Sequence, residues 1–291
     1  MNFGCQSMTK KIGKIVIKHP KHAFISEEHL EENWKKYGYL EKPDFNKVLE
    51  EYKGFESFIK SHVEEVYYLP QSDAVGLDSI YTHDSLKVTK KGAIYFNTGK
   101  VLRQKENFEM EKLLTSKGIP TLGRITSPGL MEGGDVFWLD EKTVLIGQGY
   151  RTNAEGIRQF KALTEDLIDE YIIVPMPHGE GEDACLHLMS IISMIHPKLA
   201  VVYSKFMPVF MRQLLIDRGV ELLEVNDKEY DYLGSNVLAL DHENCVMVAG
   251  NPIIEGKLKD KGMNVHTYEG RNLSYYGTGG PTCLTCPILR D

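Results

Sequence analysis

Residues able to work on a cationic carbon recur at matching places along this 291-residue chain. Cys283 follows Gly279-Gly280-Pro281-Thr282 and opens a short apolar run. Glycines permit tight turns and close approach of another group, so the thiol is expected at the mouth of an element. Asp84 comes just before Leu86, Glu132 before Val136, His187 before Leu188, and Ser235-Asn236 before Val237, each ahead of a strand-like run. Two carboxylates, an imidazole and a thiol suit nucleophilic chemistry on a cation. A cysteine beside a histidine is held as a thiolate, or forms one when a cationic substrate arrives. Paired carboxylates match the planar fork of a guanidinium. Attack by Cys283 on the guanidinium carbon gives a tetrahedral adduct. His187 then protonates the departing amine and later takes a proton from water. The net reaction is hydrolytic C–N cleavage through a covalent thiouronium intermediate, with no metal and no cofactor required.

Each residue also has a plainer use. Asp84 fits a turn or cap, and Glu132-Gly133-Gly134-Asp135 reads as a tight turn into a strand. His187 fits a hydrogen-bonded core histidine, and a free cysteine such as Cys283 is often buried and inert. Cys283 and Cys286 form a C-x-x-C pair. A zinc site needs a second ligand pair at suitable spacing, which the sequence lacks. A thioredoxin-like redox motif belongs near the start of a βαβ unit.

The elements that must position these residues repeat at roughly 50-residue intervals. The pattern is strand, turn, strand, helix, strand. One copy runs through Leu86–Thr89, Ala93–Phe96, a helix near Phe108–Leu114, and Ile119–Leu122. The next uses Val136–Leu139, Thr143–Ile146, a helix over Asn153–Leu163, and Tyr171–Val174. A third starts at Leu188 and continues through Ala200–Tyr203, a helix over Pro208–Arg218, and Glu221–Val225. A fourth uses Val237–Leu240, Cys245–Val248, Pro252–Lys261 and Val265–Tyr268. The fifth needs both ends of the chain: Cys283–Leu289 pairs with Lys14–Lys18, followed by a helix over Phe45–His62 and a strand at Val66–Leu69. Period-two β-rich runs, polar turn clusters and 3.6-period helices support this division. Five such copies gather their first residues around one axis.

Composition narrows the function classes. The net charge is -7 and 42% of residues are hydrophobic, enough for a sizeable core. No basic tract marks a nucleic-acid surface. No apolar run approaches the roughly 20 residues of a membrane span, and Met1 to Gln6 do not read as a secretory signal. Five scattered cysteines, at positions 5, 185, 245, 283 and 286, argue against a disulfide framework and for a reducing compartment. A cytoplasmic protein with a small-molecule partner is expected; a homo-oligomer is compatible with this.

Glu132-Gly133-Gly134-Asp135, Cys185-Leu186-His187-Leu188 and Gly279-Gly280-Pro281-Thr282-Cys283-Leu284-Thr285 resemble the guanidino-group-modifying superfamily of pentein fold. Tyr81-Thr82-His83-Asp84 is similar to that family's segment ending in Arg-Asp or Glu-Asp. Arginine deiminases, agmatine deiminases, dimethylarginine dimethylaminohydrolases and amidinotransferases belong to it. The resemblance covers about Gly76 to Arg290. It implies an α/β propeller of five ββαβ units about a pseudo-fivefold axis, with residues 1–291 forming one catalytic domain. It also implies Cys283 as nucleophile, His187 as general acid/base, and Asp84 and Glu132 as guanidinium ligands, Glu132 within the catalytic set. Arg103 and Arg151 resemble positions that grip a substrate carboxylate. Three positions depart from the deiminase pattern. Met189 replaces an aspartate two residues after the histidine, so an apolar, adaptable thioether is expected to border the substrate and favour an N-substituted guanidine. Thr282 replaces a histidine common before the deiminase nucleophile, and His83 precedes Asp84. The expected reaction converts arginine or an N-methylated arginine to citrulline plus ammonia or an amine. Arginine deiminase, amidinotransferase and a non-catalytic binding pentein are the alternatives, in that order.

Overall fold

Short apolar runs separated by polar turn clusters leave little choice but small sheets, and the computed structural model, which describes residues 2–291, contains five of them. In chain order the elements are β1 (Ile12–Ile17), α1 (Pro20–Ala23), α2 (Glu27–Asn33), α3 (Phe45–His62), β2 (Glu65–Tyr68), β3 (Leu86–Thr89), β4 (Gly92–Tyr95), α4 (Glu106–Ser116) and β5 (Thr121–Arg124). They continue with β6 (Val136–Trp138), β7 (Thr143–Gln148), α5 (Ala154–Thr164), β8 (Glu170–Pro175), β9 (Ile192–His196), β10 (Leu199–Val202), α6 (Val209–Asp217) and β11 (Glu221–Glu224). Last come α7 (Asp227–Asp231), β12 (Leu238–Ala239), β13 (Asn244–Val248), α8 (Pro252–Asp260), β14 (Asn264–Tyr268) and β15 (Cys286–Arg290). None of these helices is long and apolar enough to cross a membrane.

Every sheet has the same wiring. Its central strand pairs antiparallel with one neighbour and parallel with the other, and a helix makes the parallel crossover. The orders are β3-β4-β5, β6-β7-β8, β9-β10-β11, β12-β13-β14 and β15-β1-β2. In the last sheet the two ends of the chain meet: Val16 faces Cys286 and Ile15 faces Pro287. The five expected ββαβ units are therefore present, including the one closed by both termini. Boundaries shift locally. The third unit begins its first strand at Ile192, after a 3-10 turn over Leu188–Ser190. Pro208 caps α6 instead of lying inside it.

The helices follow from their capping and spacing. In α3 the Asp44 side chain accepts a hydrogen bond from the Lys47 N–H at 3.0 Å, an N-cap contact. Val48, Tyr52, Phe55 and Ile59 then fall on one buried stripe. Burying a side chain such as Phe55 contributes about 1.5–3 kcal/mol. The core divides into five clusters, each shared by two neighbouring units. Phe137 and Val202 share one, Ile94 and Val144 another, and Val16 and Leu86 a third. This cyclic sharing locks the units into a ring and fixes where the segments before each first strand converge.

Candidate active site

All five of those segments bring polar side chains to one place: Asp84, Glu132, His187, Asn236 and Cys283. Asp84 precedes β3, and its backbone carbonyl accepts the Gly133 N–H at 2.9 Å. Its Oδ1 accepts the Gly134 N–H at 3.0 Å. A Cβ added at Gly133 would stand 2.1 Å from the His83 carbonyl oxygen, and one at Gly134 would stand 2.5 Å from His187 Nδ1. The glycine pair thus provides the clearance for three units to close on one another. Asp135, next along, accepts the Leu188 N–H at 2.9 Å and ties the second unit to the third.

Glu132 is completely buried. Its Oε2 lies 2.6 Å from His187 Nε2, and its Oε1 accepts the Lys100 N–H at 3.1 Å. His187 Nδ1 is 4.0 Å from Asp84 Oδ1 and 3.5 Å from Cys185 Sγ. Cys283 sits in a turn three residues ahead of β15. Its carbonyl accepts the His83 N–H at 3.3 Å, and its sulfur receives a hydrogen bond from Asn236 Nδ2 at 3.4 Å. Asn236 Oδ1 in turn accepts the Thr282 N–H at 3.1 Å. Gly279 and Gly280 are required by proximity: a Cβ at the first would meet the Tyr81 ring at 2.3 Å, and at the second Asn236 Cγ at 2.5 Å.

The charges are set by competition between burial and neighbours. Burial opposes ionisation of Asp84, but His187 and Arg103 outweigh it and hold the carboxyl below its ordinary range. Burial also works against the Glu132 carboxylate, and the hydrogen bond and charge of His187 again prevail, lowering it. Burial alone would neutralise His187. Cys185 and the Asp84 carboxylate alongside it, with hydrogen bonds to Cys185 and Glu132, reverse that and hold the imidazolium well above its ordinary value. Cys283 keeps intermediate exposure. Desolvation of its sulfur, with Asp84 and Cys185 nearby, pushes the thiol up to about 12 against the opposing pull of His187 and Asn236. The resting constellation is two carboxylates, an imidazolium and a thiol.

Two side chains lie elsewhere than the expected place beside a substrate. Arg103 does not offer its fork to a substrate carboxylate. Its NH1 donates to Asp84 Oδ2 at 2.6 Å, its Nε to both Glu106 oxygens at 3.1 Å, and its NH2 to the Tyr81 carbonyl at 2.7 Å. It holds Asp84, and Glu106 anchors it in turn. Met189 packs in the core cluster with Phe137 and Ile192 and lines a cavity beneath the site, bordered by Cys5, Lys87 and Cys286. Arg151 is less committed than Arg103. Its NH1 is 3.5 Å from Glu132 Oε2, and its NH2 reaches the Asp183 and Ala184 carbonyls only at 3.5 Å. A cavity of about 290 Å³ adjoins it, lined also by Tyr150, Met176, His178 and Leu186.

The sequence-based assignment of roles missed Asn236 at the sulfur, Cys185 at the imidazole and Glu106 behind Arg103. Asn236 carried a signal, because it precedes the first strand of its unit as Asp84, Glu132 and Cys283 do. Oxygen and nitrogen atoms of Asp84, Glu132 and His187 lie within 4.8 Å of one another, a grouping that could hold a metal ion. The same charge and spacing suit an organic cation.

The family described as arginine deiminase matches residues 61–230 and 211–290. The chain belongs to that family. An uncharacterized Bacillus subtilis protein, YkgA, is 28% identical over 232 residues, covering 80% of this chain and 77% of that one. The dimethylarginine dimethylaminohydrolase of Pseudomonas aeruginosa is 25% identical over 252 residues, covering 85% and 91%. Its structure in complex with citrulline superposes with a TM-score of 0.76 at 22% identity, over 96% of this chain and 100% of that one. The N-terminal domain of the arginine dihydrolase ArgZ gives 0.80 at 16% identity, covering 96% and 98%. These neighbours show the pentein fold. The match to the arginine deiminase of Mycobacterium avium covers 46% of that relative, so this chain spans about half its length.

Proposed function

We propose that this chain hydrolyses a guanidinium C–N bond of arginine or an N-methylated arginine, giving citrulline and ammonia or an amine. The observation that carries this reading is the convergence of buried Asp84, Glu132 and His187 with the Cys283 thiol. The guanidinium lies between the two carboxylates, replacing part of the hydration it loses. Its positive charge beside the sulfur lowers the thiol pKa, and the proton leaves to solvent. The Cys283 thiolate attacks the guanidinium carbon. His187, already an imidazolium, donates its proton to the leaving nitrogen, and the amine departs. The neutral imidazole then takes a proton from the water that attacks the thiouronium. The second tetrahedral adduct collapses to the ureido product and releases the thiolate. Arg151 binds the substrate carboxylate, with the neighbouring cavity as room for the amino-acid end.

Coverage of the dimethylarginine dimethylaminohydrolase relative over 91% of its length favours the methylated substrate class. The match to the arginine deiminase family keeps unsubstituted arginine as the second reading. A panel of arginine, methylated arginines and agmatine, assayed for ureido product and released amine, tests the proposal. Citrulline from an arginine-type substrate, lost in Cys283→Ser, is expected. No turnover of any guanidine, or unchanged turnover in Cys283→Ser, overturns it.

A further inference from the structure

Directly beneath the candidate active site, the chain neighbours of its residues turn the other way and enclose a second space. His83 follows Thr82 on the chain and precedes Asp84, Thr282 precedes Cys283, and Met189 lies two residues after His187. All three line a cavity of about 30 Å³, together with Cys5, Lys87, Trp138, Cys286 and Arg290. That is room for one water-sized group.

The wall contains two cationic side chains and no carboxylate. Lys87 is 8% exposed and Arg290 7%. Among the described residues, the hydrogen-bond partner of the Lys87 ammonium is His83 Nε2, at 2.7 Å. His83 Nδ1 contacts the Thr285 carbonyl oxygen at 2.9 Å, so Nδ1 carries the proton and Nε2 accepts. Arg290 donates to two backbone carbonyls, of Lys10 at 2.6 Å and Ala239 at 2.8 Å. Neither cation is in ion-pair contact with a carboxylate among the described residues. Burial lowers Lys87 below its ordinary value, Cys286, Cys5 and Asp84 pull the other way, and the one carboxylate among them, Asp84, is already paired with Arg103. Trp138 is 2% exposed, and its Nε1–H is buried without a partner. A buried charge without a counter-charge, and a buried donor without an acceptor, are both costly.

The thiols in the wall do not supply the missing anion. Burial pushes Cys286 up to about 12 and raises Cys5 as well. The rest of the lining is largely apolar, from Met8, Leu86, Val237 and Leu238. A small, singly charged, weakly hydrated anion meets all three conditions of size, sign and surroundings. Sulfate and phosphate are too large and too strongly hydrated.

We propose that this axial cavity binds one halide ion, held by the Lys87 ammonium, the Arg290 guanidinium and the Trp138 indole N–H. The ion joins the ends of the chain, through Arg290, to the first two units, through Lys87 and Trp138. It is a site separate from the guanidinium-binding carboxylates above it.

Crystals of the wild-type chain grown in bromide test the proposal. One anomalous peak is expected inside the cavity, and it is expected to vanish in Trp138→Phe crystals while surface bromides persist. Lys87→Met is expected to do the same; Trp138→Phe and the wild-type crystals decide the matter if that variant does not fold. In solution, the wild-type unfolding midpoint should rise by about 2 °C for each tenfold increase in bromide above the dissociation constant, with no such slope in Trp138→Phe. Anomalous peaks confined to the surface, or a midpoint that follows bromide equally in both proteins, would overturn it. Neither readout depends on turnover.

Discussion

Burial holds the proton on Cys283, and in the proposed reaction an arriving cation releases it. With the thiol pushed up to about 12, the thiolate fraction at pH 8 is about 10⁻⁴, against roughly a quarter for an unperturbed cysteine. Neutral iodoacetamide should therefore alkylate Cys283 about 10³-fold more slowly than a free thiol. A haloacetamidine carries the guanidinium-like charge and should label it rapidly. Peptide mapping of the two reactions checks this, and equal rates at Cys283 would show that the charge of the ligand is irrelevant. The two arginines divide at the same scale. Arg151→Ala would remove the proposed charge-assisted contact to the substrate carboxylate and should cost about 10–100-fold in kcat/KM for arginine-type substrates. Agmatine, which has no carboxylate, should be almost unaffected. Arg103→Lys acts through Asp84, so its loss should be equal for both. Steady-state kinetics on the two substrates separates these roles.

The turn from Glu132 to Asp135 and the strand β1 are the elements on which most depends. Gly134→Ala would place a methyl 2.5 Å from His187 Nδ1, so the imidazole must move away from Glu132. Turnover should fall by about 10²–10⁴-fold, the usual cost of losing proton transfer, while far-UV circular dichroism stays that of the parent. β1 ends beside Lys18, which is 1% exposed with its Nζ unpartnered. Burial lowers this lysine to about 8, against the weaker pull of Glu106 and Glu109. The folded chain therefore binds fewer protons than the unfolded chain between about pH 8 and 10.5. Stability should rise with pH across that window, while below pH 8 the cost is present in full. Lys18→Met should stabilise the protein by up to about 3 kcal/mol at pH 7, with the advantage shrinking towards pH 10.5. Thermal melts of both proteins at pH 7 and pH 10 test it. These elements were legible to different degrees. The strands and α3 were readable from local pattern, because alternation and 3.6-residue spacing are properties of short segments. The 3-10 turn after His187 was not, since Asp135 of another unit fixes it by accepting the Leu188 N–H.

Across the whole molecule, pseudo-symmetry made the site readable. Asp84, Glu132, His187, Asn236 and Cys283 occupy equivalent places, so knowing the repeat was enough to expect them together. The directions of Arg103 and Met189 were not legible, because a side chain's direction depends on its neighbours. Arg103 turns inward because Glu106 and Asp84 face it, and Met189 turns downward into a core that two units share. Cys185 carries no such positional signal; its nearness to His187 comes from the path of the loop before it. The five shared core clusters explain how residues far apart in sequence are held within hydrogen-bond reach of one another. Under the proposed reading this ring places Cys283, and no other cysteine, against the guanidinium carbon. The most direct test is acid-quenched peptide mass spectrometry of the wild-type chain during turnover of arginine and of dimethylarginine. An amidine adduct on the peptide containing Cys283, absent from Cys283→Ser and absent from His187→Gly, which lacks the acid that expels the amine, is the predicted result. An adduct on Cys185, or one that survives Cys283→Ser on Cys286, would mean that another thiol attacks the substrate.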